Sequence, residues 1–188
     1  MKFSLFGALA ALTTATIAAP IVVRQDNGTT SGNSTSAVSS TSSGEAFGFA
    51  AQNGGTTGGA GGTEVTVTSN EELLAEVEGD DPKIIWVEGT VEGYTDKVRV
   101  GSNKSIIGKN SEAHLIGIGL FIKDAKNVII QNLAISKVSE GEGDAIGVQK
   151  SENVLIDHCD LSSDLDNGKD YYDGLADFSH QVDYVTVR

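Results

Sequence analysis

The chain has 188 residues, 39% of them apolar and 21% charged, and its 13 Lys and Arg against 26 Asp and Glu leave a formal net charge of −13. That balance argues against nucleic acid as a partner, because phosphate binding draws on clustered cations. It admits an acidic polymer only where a divalent cation stands between two sets of carboxylates, and since acidity also keeps a secreted protein soluble, charge permits such a partner without indicating it.

Met1-Lys2-Phe3, the apolar run from Leu5 through Leu12, and Ile17-Ala18-Ala19 follow the charged, apolar, small-residue order of a secretory signal. A signal peptide is expected over residues 1–19, and with it export from the cell. Thr13, Thr14 and Thr16 interrupt the run, which falls short of the ~20 residues a spanning helix needs, so no membrane anchor is expected after cleavage. Ile21-Val22-Val23-Arg24 sets a basic residue before the composition turns polar, a candidate propeptide end. Residues 20–62 read as propeptide and flexible leader, because a stretch dominated by Ser, Thr, Gly and Asn cannot offset the entropy of ordering it. Asn27, Asn33 and Asn103 each open an N-x-Ser/Thr glycosylation acceptor.

A folded region is expected over residues 63–188. Ser69 or Asn70 can cap a helix through Glu71-Glu72-Leu73-Leu74-Ala75-Glu76-Val77, which Asp81-Pro82 then stops. The rest consists of short β runs set off by Gly, Asn and Asp. One phrase recurs, in which Asn or Asp precedes a β run: at Asn103, Asn127, Asn153 and Asp183, with spacings of 24, 26 and 30 residues. Second strands such as Leu120-Phe121-Ile122 and Ala145-Ile146-Gly147-Val148 lie between. A single strand cannot bury its apolar face, whereas stacked coils bury a continuous core and ladder their turn residues. The spacing predicts an all-β, right-handed, single-stranded parallel β-helix. A β-sandwich would also show short strands, but it calls for hairpin turn pairs, and Asp173-Gly174 precedes no clear return strand. Cys159 is the only cysteine, either a buried thiol or one whose partner lies in sequence not present.

Several segments together carry a family likeness. These are Gly48-Phe49-Ala50, the glycine-rich run of residues 54–62, Val100-Gly101-Ser102-Asn103-Lys104-Ser105-Ile106-Ile107-Gly108, Gly143-Asp144-Ala145-Ile146, Val154-Leu155-Ile156-Asp157-His158-Cys159, and Asp173-Gly174-Leu175-Ala176-Asp177. In this order and spacing, the chain from about Ala46 onward resembles the pectate lyases of the family that also contains pectin lyases; Leu155 stands where many relatives carry Trp. The resemblance implies calcium-dependent, endolytic β-elimination of demethylated homogalacturonan (polygalacturonate, pectin) by a protein expected to act as a monomer. It implies calcium ligands at Asp144, Asp173 and Asp177, and the spacing between Asp173 and Asp177 would set both on one face of an extended strand. Glu142, two residues before Asp144, would point the same way from an extended strand and is a further candidate. Without the resemblance, these acids would read as ordinary turn residues on a solvated surface.

The resemblance also implies what this chain lacks. The Arg that acts as base belongs to a later segment, so no catalytic residue is expected within residues 1–188, and Arg188, directly after an apolar strand, is not given that role. The β-helix is expected to be incomplete at its C-terminus. Asp157-His158 invites a base-and-orienter reading, but consecutive strand residues face opposite sides, which favours a structural, buried His. Lys169-Asp170-Tyr171-Tyr172 could meet a sugar, although a tyrosine in the solenoid core explains as much. A pectin lyase would be expected to lose the three acids. A polygalacturonase needs carboxylate pairs in segments not found here. A non-catalytic polysaccharide-binding β-helix would show the same repeats.

Overall fold

The computed structural model describes residues 46–93 and 97–188; the expected signal peptide, the expected propeptide end at Arg24, the expected leader up to residue 45 and the acceptors Asn27 and Asn33 lie outside the described residues. In chain order the elements are β1 (Thr63–Val67), α1 (Asn70–Val77), β2 (Lys83–Val87), β3 (Thr90–Glu92), β4 (Val98–Val100), β5 (Lys104–Gly108), β6 (His114–Ile116), β7 (Leu120–Lys123), β8 (Lys126–Gln131), β9 (Ala134–Ser136), β10 (Ile146–Gln149), β11 (Glu152–Asp157), β12 (Asp160–Ser162), β13 (Ala176–Ser179) and β14 (Asp183–Val187). They form three sheets: sheet A in the order β1-β2-β5-β8-β11-β14, sheet B in the order β12-β9-β6-β3, and sheet C in the order β13-β10-β7-β4. Every ladder is parallel, and each coil gives one strand to each sheet in turn. This is the right-handed parallel β-helix that the repeats predict, coiled in the sense that parallel crossovers almost always take.

Residues at matching positions of successive coils stack inside. Ile85, Ile106, Ile130 and Ile156 line one column from sheet A; Val91, Leu115 and Ile135 line one from sheet B, with the half-buried Leu161 next in register; Leu120 and Ile146 continue from Val98 in sheet C. Fully burying one such side chain is worth roughly 1.5–3 kcal/mol, so the columns supply the main force holding the coils together. Helix α1 covers the first coils. Ser69 caps it, its hydroxyl accepting from the Glu72 N–H at 3.3 Å, and Leu73 and Val77 are buried in the core.

Lys104 occupies an inward position in register with Val128, where an apolar side chain would be expected, and is fully buried. Its Nζ donates to the carbonyls of Gly79 and Asp81 at 2.7 Å and of Ser102 at 3.0 Å, satisfying backbone groups in the turn after α1. Burial pushes its pKa down, with repulsion from Lys83 acting in the same direction and Asp80 and Asp81 opposing.

The corners need left-handed backbone. Asn103, Asn127 and Asn153 have φ of 58°, 61° and 55°, a region asparagine tolerates better than most residues. Asn127 Nδ2 donates to Asn103 Oδ1 at 2.9 Å, forming a ladder between coils. The fourth member is Tyr184, with φ 54°, and not Asp183: strand pairing sets Asp183 opposite Glu152, so the recurring phrase slips by one residue in the last coil. Asn103 is half-buried, and its Nδ2 donates to the Asp80 carbonyl at 2.9 Å, so a glycan on this acceptor would have to leave the ladder pair in place.

The boundary expected after Gly62 falls inside the folded part. Residues 46–62 lie against the outer face of sheet A, where Ala50 packs on Ile129 and Leu155. Asn127 Oδ1 accepts from the Thr57 and Gly58 N–H groups at 2.7 and 2.8 Å, and Ser105 Oγ from Gly59 at 2.9 Å. The glycines allow this approach: a Cβ on Gly59 would lie 1.9 Å from the Lys83 carbonyl oxygen. A composition that reads as flexible therefore serves backbone packing on a finished sheet.

Candidate active site

Sheet C collects the charged groups. Its inward positions are apolar and its outward ones are mixed: Arg99, Phe121, Gly147 and Asp177 stand in register along one outward rung. Asp144 lies two residues before β10, and Asp173 three before β13. The Ala145 N–H donates to the Gly174 carbonyl at 3.3 Å, which brings the two approaches together. A Cβ on Gly174 would lie 2.5 Å from Asp144 Oδ1, and one on Gly147 3.8 Å from Asp144 Oδ2. The Asp144 carboxylate thus occupies space that Gly174 leaves open, and it lies in ordinary contact range of Gly147, the register partner of Asp177.

Burial raises the Asp144 pKa, and the negative charges of Asp173 and Asp177 raise it further; Lys97 works the other way. A carboxylate whose charged form is opposed by burial and by two neighbouring acids is one that a cation would relieve. All-oxygen, carboxylate-rich donors fit calcium, which accepts a flexible geometry. Asp173 Oδ1 accepts from the Gly174 N–H at 2.9 Å and Asp177 Oδ2 from Ser179 Oγ at 2.8 Å. Among the described residues no group of three His, Cys, Asp or Glu side chains is drawn together closely enough to hold a metal ion as it stands. The acids form an open strip.

Two details differ from expectation. Glu142 lies on a 3-10 turn, Glu140–Glu142, and not on an extended strand; Gly143 follows at φ 86°, and the Glu142 carboxylate accepts from Ser139 Oγ at 3.1 Å. Asp173 precedes β13, so it and Asp177 do not share a strand face by simple alternation.

The loop of residues 163–175 is pinned from below. Lys137 Nζ pairs with Asp164 at 2.9 Å, and Tyr172 Oη donates to Asp164 Oδ1 at 2.9 Å. Tyr172 therefore anchors the loop, while Tyr171 is exposed and packs edge-on against it with centroids 4.9 Å apart. Lys169 is paired with its neighbour Asp170, an exposed contact of little energetic weight.

Asp157 and His158 lie on sheet A, away from this strip. Asp157 is only 2% exposed, whereas His158 is exposed, contrary to the expectation of a buried imidazole. His158 takes a left-handed backbone, φ 51°, so its ring turns back and Nδ1 comes within 3.0 Å of Asp157 Oδ1 despite their adjacency in sequence. Arg188 donates to the same carboxylate through Nε at 2.7 Å and Nη2 at 3.1 Å, and Gln131 Nε2 donates at 2.9 Å. Arg188 is thus committed to a structural contact far from sheet C.

Cys159 is a free thiol packed against the core, its Sγ 3.7 Å from the Ile130 carbonyl and 3.6 Å from that of Asp157. Burial pushes its pKa up to about 11, so the reactive thiolate is scarce at neutral pH. Alkylation at pH 8 is expected to be at least tenfold slower in the native protein than in denaturant; equal rates would show the thiol to be accessible.

The family model described as pectate lyase matches residues 9–188. Pectate lyase A of Aspergillus niger is 54% identical over 154 residues, which is 82% of this chain and 48% of the relative. Pectate lyase A of Emericella nidulans is 54% identical over 142 residues, 76% of this chain and 43% of the relative. The chain therefore spans about half the length of the curated relatives it matches. Among solved structures, a pectate lyase from Bacillus sp. N165, in complex with trigalacturonate, superposes with a TM-score of 0.70 at 36% identity, covering 76% of this chain and 51% of that one.

Proposed function

The chain belongs to the pectate lyase family, and from that premise we propose that the protein cleaves demethylated homogalacturonan by calcium-dependent β-elimination. The observation that supports this reading is the open strip of Asp144, Asp173 and Asp177 beside sheet C, close enough for the two other acids to act on Asp144, with Gly174 leaving room for the Asp144 carboxylate. These three residues would hold calcium; Glu142, engaged by Ser139, is the weaker fourth candidate. Calcium, when bound, supplies positive charge against the uronate carboxylate and so acidifies the neighbouring C5 proton. The carboxylates of this chain fix where that charge sits. Asp173 is carried by the loop of residues 163–175, which Lys137 and Tyr172 pin through Asp164. No residue described here is assigned as the base, since Arg188 is bound to Asp157 on another face.

Retention of all three acids favours the pectate branch over a pectin lyase acting on the methyl ester. The amino-terminal signal pattern supports export to plant cell-wall polysaccharide, with glycans on the acceptors at Asn27, Asn33 or Asn103. The test is ultraviolet absorbance of unsaturated uronide from polygalacturonate, with calcium or with chelator, for the protein expressed from its whole coding sequence. Product that requires calcium is the expected result. Absence of product under both conditions would leave a polysaccharide-binding β-helix as the better account.

A further inference from the structure

Positive charge is concentrated on one part of sheet C in an otherwise acidic chain. Lys97 Nζ lies 5.3 Å from the centroid of the Phe121 ring, Arg99 Cζ 5.6 Å and Lys123 Nζ 6.0 Å. Three of the chain's 13 Lys and Arg thus surround one aromatic ring. Phe121 points outward from β7 between the inward Leu120 and Ile122, yet it is only 8% exposed. Between described residues, none of the three cations forms an ion pair with a carboxylate, whereas Lys83, Lys109, Lys137, Lys169 and Arg188 all do. Capping an exposed ring takes one cation and is worth about 0.5–1 kcal/mol. A second and third add mutual repulsion, which calls for a further reason.

Register supplies that reason. Arg99, Phe121, Gly147 and Asp177 follow one another on neighbouring strands, so the rung passes from cations to acids over three strand spacings, roughly 14 Å. One strand spacing is close to the length of one pyranose unit, so a sugar chain lying across the strands would meet both ends. Gly147 keeps the middle of the rung low: a Cβ there would come 3.0 Å from the Phe121 ring.

We propose that Lys97, Arg99 and Lys123, held around Phe121, form a metal-independent anion subsite that takes the free carboxylate of a uronate unit, next to the acidic end where a cation would mediate contact with another unit of the same polymer. The assignment to a uronate polymer rests on the reading of the protein as a pectate lyase. Arg99 supplies a planar fork matched to carboxylate, and the two lysines supply point charges. Esterification removes the charge this subsite reads, so it discriminates against methylated units without calcium.

The experiment is calorimetric titration of the protein, expressed from its whole coding sequence, with tetragalacturonate in excess chelator. Wild type is expected to bind, more weakly as salt rises, and the methyl-esterified oligomer is expected not to bind. The double variant R99Q/K123Q is expected to bind tetragalacturonate at least tenfold more weakly, with an unchanged melting temperature, and R99K/K123R to recover most of the loss. With calcium and polymer, R99Q/K123Q should raise KM rather than lower kcat. Equal binding by wild type and R99Q/K123Q, or no binding by wild type in chelator, overturns the subsite. Lyase activity is scored separately: calcium-dependent product alongside equal binding defeats the subsite alone. Charge-dependent binding without product defeats the lyase reading alone.

Discussion

Asp177→Asn is expected to lower calcium-dependent product formation by at least about 10²-fold and to weaken calcium binding by a comparable factor. Loss of a group that merely supports a metal ligand costs roughly 10–100-fold in affinity or activity, and a ligand itself should cost no less. Asp144→Asn is expected to act in the same direction, whereas Glu142→Gln should have little effect, because Ser139 engages that carboxylate on its 3-10 turn. This contrast separates a specific ligand set from general acidity, since each substitution removes one negative charge. A pH effect accompanies it. Burial and the two neighbouring acids raise the Asp144 pKa, so protons compete with calcium there at a higher pH than at an ordinary aspartate. Apparent calcium affinity should therefore fall as pH drops toward that raised value, and calorimetry across pH measures it. Asp177→Asn with undiminished calcium affinity would remove the acidic strip from the mechanism.

The coil and the acid strip differ in how legible they are from sequence. The recurrence of Asn103, Asn127 and Asn153 reports the solenoid directly, because a left-handed corner must repeat wherever coils stack, and asparagine is cheap there. The phrase failed at Asp183 because strand register, and not residue type, decides which position turns; Tyr184 pays the strain instead. Residues 46–62 misled for a different reason. Glycine-rich composition signals freedom in an isolated chain, but against a preformed sheet the same missing Cβ atoms permit backbone contact, as at Gly59. At the site, the positions of Asp144, Asp173 and Asp177 followed from motif likeness. Their proximity could not be read from spacing alone, since Asp173 sits on a loop. The cations around Phe121 left a trace in Val98-Arg99-Val100, where a charge between two apolar strand residues must face out. Nothing in the sequence set that charge beside Phe121, because pairing of β4 with β7 brings it there.

Arg188→Ala is expected to destabilise the fold by about 3 kcal/mol at neutral pH, more than Asp157→Ala does. Truncating Arg188 leaves a nearly fully buried carboxylate with fewer donors, and breaking such a pair from one side typically costs about 3–5 kcal/mol. The lower end applies, because the Arg188 side chain is itself half-exposed and its field is partly screened by solvent. Asp157→Ala removes the buried charge together with its partner contact, and the freed guanidinium can rehydrate. A loss of about 3 kcal/mol lowers Tm by on the order of 10 °C in a domain of this size. The pH dependence identifies the cause. Burial alone would raise the Asp157 pKa, but the hydrogen bonds from Arg188, His158 and Gln131 together hold it below the usual carboxylate value. In the wild type this stabilisation is fully present above the unfolded aspartate pKa of about 3.9 and is lost as pH falls through the depressed folded value. In Arg188→Ala the main opposition to burial is gone, so the folded pKa rises above the unfolded one and protonation favours the native state. The Tm difference between wild type and variant should therefore shrink as pH falls from about 6 to about 3. A gap that stays constant over that range would mean that Arg188 acts through its stacking on Phe47, 4.5 Å from the ring centroid, and not through the carboxylate.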